Sequence, residues 1–258
     1  MGYSLVGKTS FITGASSGIG KACAIAFAKA GARLILTARR YSELEALSNS
    51  LMKEFGTETH IGRLDVRNFK EVTAFVSHLP PEWEEVDILV NNAGLSRGLD
   101  KLHEGKIDDW EEMIDTNVKG LLYVSRAVIP AMVKRNKGMI INIGSIAGKE
   151  VYVGGNVYCA TKHAVDAVTR GLRHDLTETD IRVCQIAPGL VETEFSKVRF
   201  HGDQQRAANV YKGYVPLSGE DVADAVLYCA TRPPHVEIAD LLILPTAQSS
   251  VGLVYKKS

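Results

Sequence analysis

The sequence has no excess of charge of either sign, no closely spaced pair of cysteines and no apolar run long enough to span a bilayer. Its thirty basic and thirty acidic side chains cancel, so nothing indicates binding to nucleic acid or to an anionic membrane surface. No basic leader with an apolar core opens the chain, and Met1-Gly2 resembles an acylation signal only loosely, because Val6 takes the usual Ser/Thr position. We therefore expect a cytoplasmic protein with no nucleic acid and no membrane among its partners.

Cysteine and histidine are too scattered to indicate a metal site or a disulfide framework. The cysteines lie in apolar helical or strand contexts, and we expect buried free thiols. They are Cys23, Cys159, Cys184 and Cys229. The seven histidines show no metal spacing. On a helix His163 would point away from the face that carries Tyr158 and Lys162, so we expect no catalytic role for it.

Short apolar runs alternate with helical patterns along the whole chain, which is typical of an α/β protein. The predicted strands are 8–13, 33–38, 59–64, 86–90, 139–144, 181–186 and 238–244. The predicted helices are 21–30, 41–55, one from about residue 68, 106–135, 157–179 and 222–231, the last capped by residues 218–221. No repeat or linker divides the chain, so we predict one domain over residues 1–258 with a small polar lid around 194–215.

A glycine-rich stretch follows the first predicted strand and opens the first predicted helix. It reads Gly14-Ala15-Ser16-Ser17-Gly18-Ile19-Gly20. Strand, glycine turn and helix in this order form a phosphate site, because N–H groups at a helix start point at the anion. Gly14 and Gly18 would let the backbone turn and approach a pyrophosphate, and Gly20 would allow close packing of helix on strand. The spacing differs from the usual G-x-G-x-x-G.

Two arginines follow the second predicted strand, where NAD-binding folds place an acidic residue for the adenosine ribose. Arg39 and Arg40 can grip a 2′-phosphate with paired charge-assisted hydrogen bonds, which favours NADP. The alternative is two solvated arginines at a helix start. Asp65 ends the third strand, where it either bonds the adenine amino group or caps the helix beginning near Asn68.

The pair Tyr158 and Lys162 stands four positions apart in a segment without helix breakers, so both side chains share one helical face. Tyrosine ordinarily has a pKa of about 10, and a nearby ammonium lowers that pKa toward neutrality. Such a pair can accept and return a proton. Taken alone, the pair is better explained by a half-buried ring beside a solvated amine. Ser145, at the carboxyl end of a buried strand, strengthens the catalytic interpretation because open α/β sheets bind ligands there.

These residues together resemble the short-chain dehydrogenases/reductases. The matching elements, in family order, are Thr13-Gly14-x-x-x-Gly18-Ile19-Gly20, Asn91-Asn92-Ala93-Gly94, Asn117, Ser145, Tyr158-x-x-x-Lys162 and Pro188-Gly189. The resemblance implies a Rossmann-type, doubly wound fold with a seven-stranded parallel sheet. It implies that Tyr158 is the general acid/base, that Ser145 holds the substrate oxygen and that Lys162 lowers the Tyr158 pKa and bonds the nicotinamide ribose.

The resemblance also implies that Asn117, a poor mid-helix residue, holds a water that links Lys162 to solvent. Further expected cofactor contacts come from strand ends. They are Ser16, Ser17, Asp65, Val66, Asn91, Ala93, Gly94, Pro188, Gly189, Val191 and Thr193, beside the glycines, arginines, Tyr158 and Lys162 already named.

A narrower likeness covers the last third of the chain. Residues 186–200, 209–211 and 244–249 resemble NADP-dependent 3-hydroxy acid dehydrogenases. That resemblance implies a homotetramer that oxidises serine, L-allo-threonine, 3-hydroxyisobutyrate or related acids. A carboxylate substrate needs a cation, for which Arg199 is the first candidate and Lys149 the second; Arg199 could equally be a solvated or interface residue. The alternatives are a carbonyl reductase of ketones, sugars or acyl thioesters, and a non-catalytic NADP-binding regulator.

Overall fold

Seven parallel strands form one sheet in the computed structural model, which describes residues 4–257. The strands are β1 (Thr9–Thr13), β2 (Arg33–Ala38), β3 (Thr59–Arg63), β4 (Ile88–Asn91), β5 (Gly138–Ile143), β6 (Ile181–Pro188) and β7 (Asp240–Ile243). Their order, β3-β2-β1-β4-β5-β6-β7, confirms the predicted doubly wound Rossmann-type fold. Met1 and Gly2, with their loose acylation signal, lie outside the described residues.

Helices cover both faces of the sheet, which explains why the strands read as nearly continuous apolar runs. The helices are α1 (Gly18–Lys29), α2 (Tyr41–Phe55), α3 (Phe69–Ser77), α4 (Ile107–Ile114), α5 (Leu121–Arg135), α6 (Asn156–Asp175), α7 (Phe195–Arg199), α8 (Gln204–Val210) and α9 (Gly219–Ala230). Side chains of α1, α2 and α9 share one core cluster with Ile12 of β1. Those of α3, α5 and the end of α6 share another with Phe11, the preceding residue of the same strand.

The helix predicted over residues 106–135 is interrupted in the structure. A π-helical segment, Asp115–Gly120, separates α4 from α5 and contains Asn117. Wider helical turns of this kind are frequent at functional sites. Pro130, by contrast, lies inside α5 without ending it.

The segment after β6 folds over the carboxyl edge of the sheet as α7 and α8. The predicted cap of the last helix is confirmed, because Ser218 and Asp221 form a reciprocal capping box at the start of α9. All four cysteines are buried, as predicted. Among the helices of residues 4–257, none combines the length and apolar character needed to cross a membrane.

Candidate active site

A cavity of about 600 Å³ lies along the carboxyl ends of β1 to β6. Most of the predicted site residues line it. They are Gly14, Ser16, Ser17, Gly18, Ile19, Arg39, Arg40, Asp65, Val66, Ala93, Gly94, Ser145, Tyr158, Lys162, Pro188, Gly189, Val191, Thr193 and Arg199. One end of the cavity contains the two arginines, and the other end contains Ser145 and Tyr158. The predicted residues that do not line this cavity are Gly20, Asn91 and Asn117.

The glycine-rich turn is held against the end of β4 too closely for side chains. A Cβ atom on Gly14 would lie 3.0 Å from the Ala93 Cα, and one on Gly20 would lie 2.4 Å from the Gly14 carbonyl oxygen. Gly14 also has a φ of +66°, which favours glycine. Helix α1 starts at Gly18, its first residues Gly18 and Ile19 line the cavity, and its first turn has no acidic residue that would repel an anion. Binding of a phosphate at this helix start stays a prediction.

The two asparagines at the end of β4 make different contacts. Asn92 lines the cavity, and its side-chain amide donates to the carbonyl oxygens of Thr13 (2.9 Å) and Gly14 (3.2 Å), which holds the glycine turn in place. Asn91 is buried inside the sheet layer, where its amide donates to Ser125 and Asn142. The prediction that Asn91 contacts the cofactor is therefore wrong, because alternate residues of a strand point to opposite faces. Asn92 is the one exposed to the cavity.

Arg39 and Arg40 line the cavity, half exposed, and each is paired with a carboxylate. Arg39 Nη1 lies 3.5 Å from Glu112 Oε1. Arg40 Nη2 lies 3.0 Å from Glu194 Oε2 and 3.3 Å from the Ser16 hydroxyl. Neither arginine is simply solvated, and both retain free donors for a phosphate.

Asp65 does not cap α3. Asn68 does so, since its side chain accepts from the backbone N–H groups of Lys70 and Glu71. The Asp65 carboxylate instead accepts hydrogen bonds from the Arg67 guanidinium, with Arg67 Nη2 at 2.6 Å. This pairing outweighs the effect of burial and holds the pKa of Asp65 below its usual value. The contact of Asp65 with adenine stays a prediction, and Asp65 lines the cavity as that contact requires.

Ser145, Tyr158 and Lys162 meet at the other end of the cavity, and all three are more than nine-tenths buried. Ser145 follows β5, where its hydroxyl accepts from the Ala147 N–H at 3.1 Å. Tyr158 and Lys162 lie one turn apart on α6, with Lys162 Nζ 5.9 Å from the centre of the Tyr158 ring. The Lys162 ammonium donates to the Ile143 carbonyl oxygen at 2.9 Å. His163 is exposed and points elsewhere, as predicted, with its ring bonded to the Cys159 carbonyl oxygen.

The charges around the phenol differ from the expectation. Burial raises the pKa of Tyr158, and the guanidinium of Arg199 and a hydrogen bond from Ser145 oppose that rise. Lys162 makes no such contribution in the structure; burial lowers its own pKa to about 8. The predicted lowering of the Tyr158 pKa by Lys162 is therefore wrong here in both direction and agent, because burial has the largest effect on the pKa of each group and no interaction between the two opposes it.

Asn117 fastens the turn after β4 to α6. Its side-chain oxygen accepts from the Leu95 N–H (2.8 Å), and its amide donates to the Leu95 carbonyl oxygen (2.8 Å) and the Thr161 hydroxyl (3.0 Å). Asparagine is unfavourable in the middle of a helix. The π-helical turn places the Asn117 side chain where it can bond both the N–H group and the carbonyl oxygen of Leu95. Its role in holding a water for Lys162 stays a prediction.

Arg199 lies on the wall of the cavity directly beside the phenol. Its Cζ is 5.4 Å from the centre of the Tyr158 ring and 5.1 Å from that of Phe195. One nitrogen donates to the Tyr152 hydroxyl at 3.4 Å, while the buried Nε has no partner. Within residues 4–257, no carboxylate comes within ion-pair distance of Arg199.

Lys149, the second candidate for a substrate carboxylate, is wrong. Its ammonium forms ion pairs with Asp166 at 3.3 Å and with Asp240, and it does not line the cavity. Sequence reasoning also missed wall residues that share a hydrophobic cluster with Tyr158. They are Leu95, Tyr152 and Val251. No motif marks them, since they reach the site through the folding of loops. Phe195 and Gln248 also line the cavity, and they lie in the segments 186–200 and 244–249 that carried the narrower resemblance.

The family model for short chain dehydrogenases matches residues 8–204. The chain belongs to the short-chain dehydrogenase family, as its motifs predicted. It is 48% identical over 254 residues to the NADP-dependent 3-hydroxy acid dehydrogenase of Schizosaccharomyces pombe, covering 98% of each chain. It is 48% identical over 243 residues to the NADP-dependent 3-hydroxy acid dehydrogenase of Escherichia coli, covering 94% of this chain and 96% of the relative.

A solved structure with the same fold is the closed form of a serine dehydrogenase complexed with NADP+. The TM-score is 0.90 at 46% identity, over 97% of this chain and 100% of the other. The serine dehydrogenase of Escherichia coli gives a TM-score of 0.81 at 43% identity, over 93% and 99% of the two chains. The cofactor of these relatives agrees with the one that Arg39 and Arg40 predict.

Proposed function

We propose that the protein oxidises the hydroxyl group of short 3-hydroxy acids, of the serine, L-allo-threonine and 3-hydroxyisobutyrate type, with NADP as cofactor. The observation that carries this proposal is Arg199. A half-buried guanidinium without a carboxylate partner is costly unless a ligand supplies one. It stands beside Tyr158, so an acid bound to Arg199 would bring its hydroxyl to the phenol.

The cavity fits NADP on features of its own. The start of α1, where Gly18 and Ile19 line the cavity, would offer its backbone N–H groups to a pyrophosphate. Arg39 and Arg40 would hold the 2′-phosphate. Gly94 lines the cavity where a side chain would crowd its neighbours, since a Cβ there would lie 3.2 Å from Asn117 Oδ1 and 3.7 Å from Lys162 Nζ. Lys162 would bond the nicotinamide ribose.

The bound cofactor supplies a nicotinamide ring that exchanges a hydride with the carbinol carbon. The residues of the chain supply the proton transfer and the alignment. In the oxidation, Tyr158 as phenolate takes the proton of the substrate hydroxyl, and Ser145 donates a hydrogen bond to the same oxygen. Arg199 holds the carboxylate and, by its charge, favours the phenolate. Asn117 keeps Leu95 and Thr161 in place around the group.

The lid, residues 194–215, would exclude water from this end of the cavity. Phe195 packs edge-on against the Tyr158 ring at 5.8 Å, so the first turn of α7 already covers the phenol. Excluding water strengthens the electrostatic contacts inside a site. Homotetramer assembly and a cytoplasmic location stay predictions; light scattering of the purified protein tests the first and fractionation of cells the second.

A matched set of substrates tests the proposed function. Purified protein is assayed for NADP reduction with serine, L-allo-threonine and 3-hydroxyisobutyrate, with the methyl ester of each, and with NAD in place of NADP. We expect the acids with NADP to give the highest kcat/KM, and the esters at least about tenfold less, because a charged contact is lost. Esters used as well as acids would favour a carbonyl reductase of neutral compounds, and no turnover of any acid would reject the proposal.

A further inference from the structure

The ion pair between Arg40 and Glu194 places a carboxylate within the same cavity as the phosphate-binding groups. Glu194 Oε2 lies 3.0 Å from Arg40 Nη2, and both residues line the cavity. Hydrogen bonds from Arg40 and, more weakly, from Ser17 of the glycine turn hold the pKa of Glu194 below its usual value, so it is an anion at neutral pH. A carboxylate beside a site for the pyrophosphate and the 2′-phosphate of NADP repels these groups and opposes their binding. The presence of Glu194 here therefore needs an explanation.

The position of Glu194 in the fold restricts what that explanation can be. Glu194 is the residue immediately before α7 and belongs to the lid. Arg40 lies between β2 and α2, in a different part of the cavity wall. Thr193, the neighbour of Glu194, packs on the glycine turn, since a Cβ on Gly18 would lie 3.3 Å from the Thr193 Cβ. Glu194 therefore contacts Arg40 from the first residue of the lid, and the residue before it, Thr193, packs on the glycine turn.

We propose that Glu194 is a counter-ion that competes with the 2′-phosphate for Arg40, so that Glu194 weakens the binding of NADP and NADPH and has no effect on NAD and NADH. This inference rests on the assignment of Arg40 to the 2′-phosphate under the proposed function. Both partners are about half exposed, at 47% and 51% of their side chains, so the pair exchanges readily. A dianionic phosphate then outcompetes a single carboxylate for the guanidinium.

The consequence is a cofactor preference set by two opposing residues rather than by arginines alone. Arg40 favours the phosphorylated cofactor, and Glu194 limits how tightly it is held. NAD and NADH lack the 2′-phosphate, so the ion pair between Arg40 and Glu194 is retained when they bind. The neighbouring Arg39 pairs with Glu112 at a longer distance of 3.5 Å, and Glu112 is shared with Arg97, so Glu194 is the more specific competitor.

Equilibrium binding of reduced cofactors, without substrate, tests the proposal. The dissociation constants of NADPH and NADH are measured by nicotinamide fluorescence for the wild type, Glu194→Gln, Arg40→Gln and the double variant. Glu192→Gln is the matched control, because Glu192 lies two positions away, is exposed and forms no ion pair within residues 4–257. Each measurement is made at about 20 mM and about 200 mM salt, since screening weakens exposed pairs.

We expect Glu194→Gln to bind NADPH about threefold to tenfold more tightly at low salt, with a smaller gain at high salt and no change for NADH. The control should match the wild type, and the gain should vanish in the background of Arg40→Gln. Unchanged or weaker NADPH binding by Glu194→Gln overturns the proposal. Equal tightening of NADH also overturns it, because that result means repulsion of the pyrophosphate.

The single variant Arg40→Gln separates this inference from the assignment beneath it. If Arg40→Gln binds NADPH as tightly as the wild type, Arg40 does not hold the 2′-phosphate and both statements fail. If Arg40→Gln weakens NADPH binding while Glu194→Gln changes nothing, the assignment of Arg40 stands and only the counter-ion role of Glu194 is refuted.

Discussion

Replacing Arg199 with glutamine should damage the oxidation of an acid far more than that of its methyl ester. The guanidinium lies 5.4 Å from the Tyr158 ring and has no carboxylate partner in the described part of the chain, so a substrate carboxylate is its natural counter-ion. Losing a hydrogen bond to a charged group costs about 1.5–3 kcal/mol. Arg199 is only half-buried, so we take a loss of about 2 kcal/mol, which is about 30-fold in kcat/KM.

The same substitution should move the pH dependence of the reaction. Arg199 opposes the burial-induced rise in the pKa of Tyr158. Without the positive charge the phenolate is less favoured, so the pKa of Tyr158 rises further and the acidic limb of the oxidation profile moves to higher pH. This shift should affect the acid and the ester equally, whereas the loss of about 30-fold in kcat/KM should remain for the acid alone on the high-pH plateau.

The assay is kcat/KM for 3-hydroxyisobutyrate and its methyl ester across the pH range, with NADP saturating. Arg206→Gln is the control, because Arg206 also belongs to the lid but is exposed and stacks on Phe200 outside the cavity. An equal loss for acid and ester on the plateau would show that Arg199 only supports the lid. An unmoved acidic limb would show that its charge does not reach the phenol.

Three further predictions concern the proton acceptor, the buried amine and the cofactor. Tyr158→Phe should lower kcat by about 100-fold to 10,000-fold while the dissociation constant of NADPH is unchanged; turnover close to that of the wild type would contradict the assigned role. Changing Arg39 and Arg40 together to glutamine should weaken NADPH binding by about 30-fold or more and leave NADH nearly unaffected, and equal losses would remove the 2′-phosphate argument. The pKa of Lys162 is lowered from 10.5 to about 8, so between these values the unfolded chain binds a proton that the folded chain lacks, and stability rises with pH. Lys162→Met should therefore raise the free energy of unfolding near neutral pH by up to about 3 kcal/mol and abolish activity. That stability gain should disappear above about pH 10.5 in urea titrations; a gain that does not change with pH would contradict this origin.

Lys162 illustrates how the burial of an ionisable residue can oppose stability. Below about pH 8 the chain holds Lys162 charged in a buried position, where it donates to the Ile143 carbonyl oxygen. Sites for proton transfer often contain groups with shifted pKa values, because a shifted pKa can match the group to its chemical task. The same burial raises the pKa of Tyr158, so the phenolate needs cations nearby, and in the described residues the one acting on it is Arg199.

The amino-acid sequence by itself determined the fold and about half of the residues that line the cavity. Strands β1 and β2, the glycine turn and the pair Tyr158 and Lys162 follow from local patterns, namely apolar runs, turn glycines and helical spacing. These patterns act over a few residues, so they can be recognised without knowing what packs on them. The choice of NADP was readable in the same way, because the two arginines are adjacent in the chain.

Only the tertiary structure decided which distant residues meet. Arg199 reaches Tyr158 from a separate lid helix, and Glu194 reaches Arg40 across the cavity. Lys149 proved to be engaged elsewhere, by Asp240 at the far edge of the sheet. Such encounters depend on how loops close over the sheet, and the pKa of a group depends on how much water that closure removes. Neither quantity is encoded in local spacing, which is why the direction of the Tyr158 shift required the folded chain.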